Sequence, residues 1–98
     1  MKKVNIVDKW FFKMEELNII IKHKHGLHAR PASEIVKMLT NYSADVYFKH
    51  KNKIADGKSV LQLLLLGATE NAEITITSSG IDANKAIISL KDYFDNYK

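Results

Sequence analysis

One proline and four glycines are all that interrupt this 98-residue chain. Breakers this scarce fall at element boundaries, so Pro31, Gly26, Gly57, Gly67 and Gly80 divide the sequence into a few uninterrupted segments. A chain of this length builds one core and has no room for a second. No internal repeat, low-complexity tract or Pro/Gly-rich linker suggests another organisation.

Each segment carries a readable period. From Leu17 the pattern alternates, with Leu17, Ile19 and Ile21 on one side and Asn18 and Lys22 on the other, which predicts a half-buried strand ended by a turn at Gly26. A helix should start just after His28, because Ala32, Ile35, Val36 and Leu39 repeat at helical spacing. Pro31 fits its first turn, where the missing N–H costs nothing. Val46 and Phe48 alternate with Tyr47 and Lys49 in a second strand, and Lys53 to Ala55 make a short third. Asp56 to Ser59 introduce a brief apolar helix that stops at Gly67. Ala72, Ile74 and Ile76 alternate with Glu73, Thr75 and Thr77 in a fourth strand. Asp82 should N-cap a last helix with Ala83, Ala86, Ile87, Leu90 and Phe94 on one stripe.

The order βαββαβα predicts an α+β fold, a two-layer open-faced sandwich. Its four-stranded, mostly antiparallel sheet would be covered on one face by three helices, with split βαβ pairings. This domain should occupy residues 17–98, with residues 1–16 as an N-terminal extension. Trp10, Phe11 and Phe12 are too apolar for an idle tail and should pack on the domain or on a partner.

Composition narrows the function classes. Fifteen Lys and Arg against 11 Asp and Glu give +4, a mild basic bias that suits phosphate or an acidic partner. Lys22, Lys24, Lys49, Lys51, Lys53 and Lys58 have no aromatic stacking motif beside them and read as a solvated face, so no nucleic-acid partner is expected. With no cysteine there is neither a disulfide framework nor a thiolate metal site. The longest apolar run, Leu63 to Leu66, is far short of the roughly 20 residues that span a bilayer, so no membrane insertion is expected. No signal-peptide core forms, and the expected location is cytoplasmic.

The chemistry concentrates in Gly26-Leu27-His28-Ala29-Arg30-Pro31-Ala32-Ser33. With His28 at the N-cap, the backbone N–H groups of Ala29, Arg30 and Ala32 are expected to lack helical partners and face solvent. The helix start carries a partial positive charge, and the Arg30 guanidinium can grip two oxygens. Together they suggest a phosphate site, and the same field favours a neutral, nucleophilic His28 ring. On spacing alone, an ordinary capping histidine beside a solvated arginine would look the same.

The eight-residue string resembles the active-site signature of the HPr family, histidine-containing phosphocarriers of the phosphoenolpyruvate-dependent sugar phosphotransferase system. That signature reads Gly, an aliphatic residue, His-Ala-Arg-Pro-Ala, then Ser or Thr, and every position is matched. Lys58-Ser59, an apolar stretch and Gly67 resemble the family's regulatory-serine helix, and the likeness runs from about Glu16 to Tyr93. The resemblance implies a carrier, not an enzyme, with no cofactor. His28 would accept a phosphoryl group on Nδ1 from phospho-enzyme I and pass it to IIA domains of sugar transporters, with Arg30 steadying it. Ser59 would be phosphorylated by a serine kinase/phosphorylase, as in relatives from Gram-positive-type bacteria; otherwise it is an ordinary N-cap. A paralogue in a nitrogen-related or dihydroxyacetone-related phosphorelay is the alternative.

Two features depart from the family pattern: His25 stands where a small polar residue is usual, and the segment before Leu17 is additional. The short helix has more apolar residues than one face can bury. Leu63 and Leu66 suit the core, leaving Val60, Leu61 and Leu64 as a docking surface unless the N-terminal aromatics cover it. A monomer is expected. His23, His25 and His28 could also be read as metal ligands, but nothing nearby recommends a fourth, so no metal site is expected.

Overall fold

A computed structural model describes residues 14–98, so the expectation for Trp10, Phe11 and Phe12 lies outside the described residues. The elements run β1 (Met14–Ile20), α1 (Ala29–Leu39), β2 (Asp45–His50), β3 (Lys53–Asp56), α2 (Val60–Leu65), β4 (Glu73–Ser79) and α3 (Ala83–Asn96). The strands form one sheet in the order β1-β4-β2-β3, and every neighbouring pair is antiparallel. β4 lies between β1 and β2, which makes β1-α1-β2 a split βαβ unit.

Register follows from the alternation. Ile76 sits opposite both Leu17 and Phe48, and Ile74 opposite Ile19, so the apolar side chains of three strands share one face. A slip of one residue would turn that whole set toward water. Onto this face α1 lays Ala32, Ile35 and Leu39, α2 lays Leu63, and α3 lays Ala83, Ala86, Leu90 and Phe94, all buried. The core is therefore a single layer between helices and sheet, with Phe48 fully enclosed.

β1 starts at Met14, three residues before the alternation at Leu17 becomes visible. Met14, Glu15 and Glu16 pair with Ser79, Ser78 and Thr77, so the length of β4, not local hydrophobicity, draws them into the ladder. A domain boundary at residue 17 would cut this strand.

Asp82 stands at the N-cap of α3 but makes no side-chain cap hydrogen bond, contrary to its expected role. Its carboxylate accepts from the N–H groups of Ser43 (2.9 Å) and Ala44 (2.8 Å) and ties the loop before β2 to α3. Among the described residues those amides have no strand partner of their own, and they hold the carboxylate away from the helix start. Gly67 follows α2 at φ +66°, the left-handed conformation expected of a C-terminal glycine. No helix among the described residues is long and apolar enough to cross a membrane.

Candidate functional site

The loop from β1 to α1 is fixed from two sides. Leu27 donates its N–H to Ala68 O (2.9 Å), and the Tyr97 hydroxyl, just beyond α3, donates to Gly26 O (2.6 Å). Gly26 has φ +65°, and a Cβ there would run into the Ala68 carbonyl and lie 2.8 Å from Thr69 Cα. Only glycine permits this approach of the loop to the segment before β4.

His28 is the N-cap of α1, with extended backbone (φ −101°, ψ −171°) and a side chain that makes no capping hydrogen bond. Its ring is left half-exposed rather than used in holding the helix. The N–H groups of Ala29 and Arg30 have no acceptor among the described residues. Ala32 is different: its N–H donates to His28 O at 3.0 Å, so it is not available to an anion. Ala32 lies four residues after the N-cap and closes the first helical hydrogen bond, which corrects its assignment as a free donor. Two amides and the Arg30 guanidinium remain as donors for a group bound at His28.

Arg30 is exposed and rests on Glu34 one turn along, with Nε 3.7 Å from Oε2. The other Glu34 oxygen accepts the Tyr93 hydroxyl at 2.6 Å. Burial, then the hydrogen bond to Glu34 and its charge, push the Tyr93 phenol up strongly, so it stays a donor. Sequence reading passed over Glu34, although its i,i+4 spacing from Arg30 was the available signal.

Three imidazoles meet beside this helix start. The His23, His25 and His28 rings form a nearly equilateral triangle with centroids 5.4, 5.7 and 5.8 Å apart. His23 stacks on Tyr97 at 4.6 Å and an interplanar angle of 5°, and its Nδ1 accepts the His25 N–H at 3.1 Å. Burial, then the neighbouring His25, His28 and Lys24, lower the His23 pKa, against a smaller opposing effect of Glu70. The rings line an open cleft of about 340 Å³ together with Arg30, Glu34 and Lys98. No group of three or more His, Asp or Glu among the described residues is arranged to hold a metal ion.

The second motif forms the start of α2, which packs against α1. Ser59 is its N-cap, and its Oγ accepts the Gln62 N–H at 3.2 Å. Gln62 Oε1 in turn accepts the Asp56 N–H at 2.8 Å, closing the turn before the helix. Leu63 and Leu66 are buried, as the spacing required, whereas Leu61 is 66% exposed and Leu64 36%; Val60 is half-buried. Leu65 (62%) and Ile54 of β3 (66%) are also exposed and share a groove, an apolar extension that the docking expectation did not include.

The family described as PTS HPr component phosphorylation site matches residues 15–96. A curated relative, phosphocarrier protein HPr of Chlamydia pneumoniae, is 33% identical over 86 residues, which cover 86% of this chain and 80% of the relative. The phosphoryl donor subunit DhaM of a phosphoenolpyruvate-dependent dihydroxyacetone kinase from Providencia stuartii is 35% identical over 68 residues, 69% of this chain but 14% of that protein. Among solved structures, HPr-C-His from Thermoanaerobacter tengcongensis superposes with TM-score 0.81 at 31% identity, covering 85% of this chain and 93% of that one. An HPr dimer from the same organism gives 0.66 at 29% identity, covering 97% and 94%. The chain belongs to the HPr family, phosphocarriers of the phosphotransferase system rather than catalytic enzymes.

Proposed function

We propose that this chain takes a phosphoryl group from phospho-enzyme I onto Nδ1 of His28 and delivers it to IIA domains of sugar transporters. The observation that carries the reading is the uncommitted His28 ring at the start of α1, beside the amides of Ala29 and Arg30 and the Arg30 guanidinium. A lone pair on His28 forms the new P–N bond while the P–N bond to the donor breaks and its electron pair stays with the donor. Charge on the phosphoryl oxygens meets the two amides, which the helix start already orients. Arg30 leaves Glu34 to meet the same oxygens.

Val60, Leu61 and Leu64 form the docking surface for enzyme I and the IIA domains, with Leu65 beside them. A phosphate on Ser59, placed there by a serine kinase/phosphorylase, would set negative charge at the edge of this apolar surface and weaken docking. The chain works in the cytoplasm, as a monomer; a sedimentation mass of two chains would remove that part of the reading.

Incubation with phosphoenolpyruvate and enzyme I, followed by mass analysis, tests the proposal. One acid-labile phosphate should appear on the wild type and none on His28→Ala. Equal labelling of His28→Ala would overturn it. The likeness to DhaM supports a second reading, a relay toward dihydroxyacetone phosphorylation. Faster discharge of the phosphorylated chain to dihydroxyacetone kinase subunits than to IIA domains would favour that reading.

A further inference from the structure

The triangle of imidazoles is larger than a phosphoryl carrier requires, since the reading above uses only His28. In the unphosphorylated chain a proton on any of these rings faces the other two. Lys24, Arg30 and Lys98 add positive charge around the cleft, against Glu34 and Glu70. His23 is the poorest host for a proton, because its Nδ1 already accepts the His25 N–H and its face is stacked on Tyr97. A proton placed on that nitrogen would set donor against donor. His25 has neither restriction: it is the exposed ring, edge-on to His28 with centroids 5.8 Å apart.

A phosphoryl group on His28 would bring nearly two negative charges into this cluster and reverse the sign of the field at His25. We infer that His25 binds a proton when His28 is phosphorylated and holds the phosphoryl oxygens through that charged ring, so that retention of the phosphoryl group depends on pH. The inference rests on His28 being the phosphoacceptor. The P–N bonds exchange as described above, and the additional proton comes from solvent and stays on His25 until the phosphoryl group leaves. Linkage is reciprocal: whatever factor the phosphoryl group adds to proton affinity at His25, the proton adds to phosphoryl affinity at His28. Protonated His25 favours the phosphorylated state, so that state is favoured at lower pH. The advantage fades as pH rises from the free to the phosphorylated titration point of His25.

The test is a ring-proton NMR titration of the full chain, free and phosphorylated, with phosphate introduced by phosphoenolpyruvate and enzyme I or chemically by phosphoramidate. The His25 resonance should titrate about one pH unit higher in the phosphorylated chain, while His23 moves less. The phosphoryl-transfer equilibrium with enzyme I should fall about tenfold more between acidic and alkaline pH in wild type than in His25→Gln. Both proteins retain the His28 ring, so their difference isolates His25. His25→Lys, cationic throughout, should favour the phosphorylated state without the added pH dependence, a result that a merely structural role would not give. A His25 titration unmoved by phosphate on His28, or equal pH profiles for wild type and His25→Gln, overturns the inference and leaves the carrier reading intact. Absence of enzyme I-dependent phosphate from His28 instead overturns the carrier reading, and the phosphoramidate arm still tests the His25 coupling.

Discussion

Arg30 rests on a partner it can leave. An exposed i,i+4 pair such as Arg30–Glu34 is worth about 0.3–0.5 kcal/mol, and arginine preceding glutamate is the weaker orientation along a helix. Doubly charged phosphoryl oxygens are a stronger attraction for the guanidinium than one solvated carboxylate. Replacing Arg30 by Ala should therefore slow phosphoryl transfer by about tenfold to a hundredfold, while the melting temperature changes little. Stopped-flow rates with phospho-enzyme I measure the first, and calorimetry the second; an unchanged rate would remove Arg30 from the site. At this scale the sequence was legible for His28 and Arg30, because helix period and proline together locate the first turn. It misled for Ala32, whose amide lies one residue too far along to remain free, and it passed over Glu34, whose role depends on a tyrosine from α3.

At the scale of elements, the loop before β2 and the start of α3 are joined through one carboxylate. The Ser43 amide, helped by the Ala44 amide and Ser43 hydroxyl and opposed by burial, holds the Asp82 pKa below its ordinary value. A depressed carboxylate contributes stability that is present above the unfolded value near 4 and lost as pH falls through the folded one. Asp82→Asn should lower the melting temperature at neutral pH by about 5–10 °C and show a smaller further loss below pH 4 than wild type. Thermal melts from pH 2 to 7 check this, and parallel curves would contradict it. The sequence marked Asp82 as a helix start but could not show that two distant amides compete for its side chain. The β1 start was hidden for a related reason: Glu15 and Glu16 carry no hydrophobic signal, and only pairing with β4 makes them strand. On α2 the division was readable because a six-residue helix can turn only one face inward. Leu61→Asp should leave the fold stable within about 0.5 kcal/mol and weaken binding to enzyme I at least tenfold. Isothermal titration measures that affinity, and unchanged binding would move the docking surface elsewhere.

For the molecule as a whole, the sheet and three helices act as a frame that brings three separate stretches to one end. The β1–α1 loop supplies the histidines, α1 the free amides and arginine, and the end of α3 the tyrosines that brace both. Periodicity revealed the order of elements, and a specific motif revealed the family. The convergence with Tyr93 and Tyr97 required coordinates, because those contacts join residues 59 and 71 positions apart. Three imidazoles within 6 Å of one another also make the location of the phosphate a real choice among neighbours. A two-dimensional phosphorus–proton NMR correlation on the chain phosphorylated through enzyme I reads that choice directly. The phosphorus should couple to the ring protons of His28, and coupling to His23 or His25 would contradict the account.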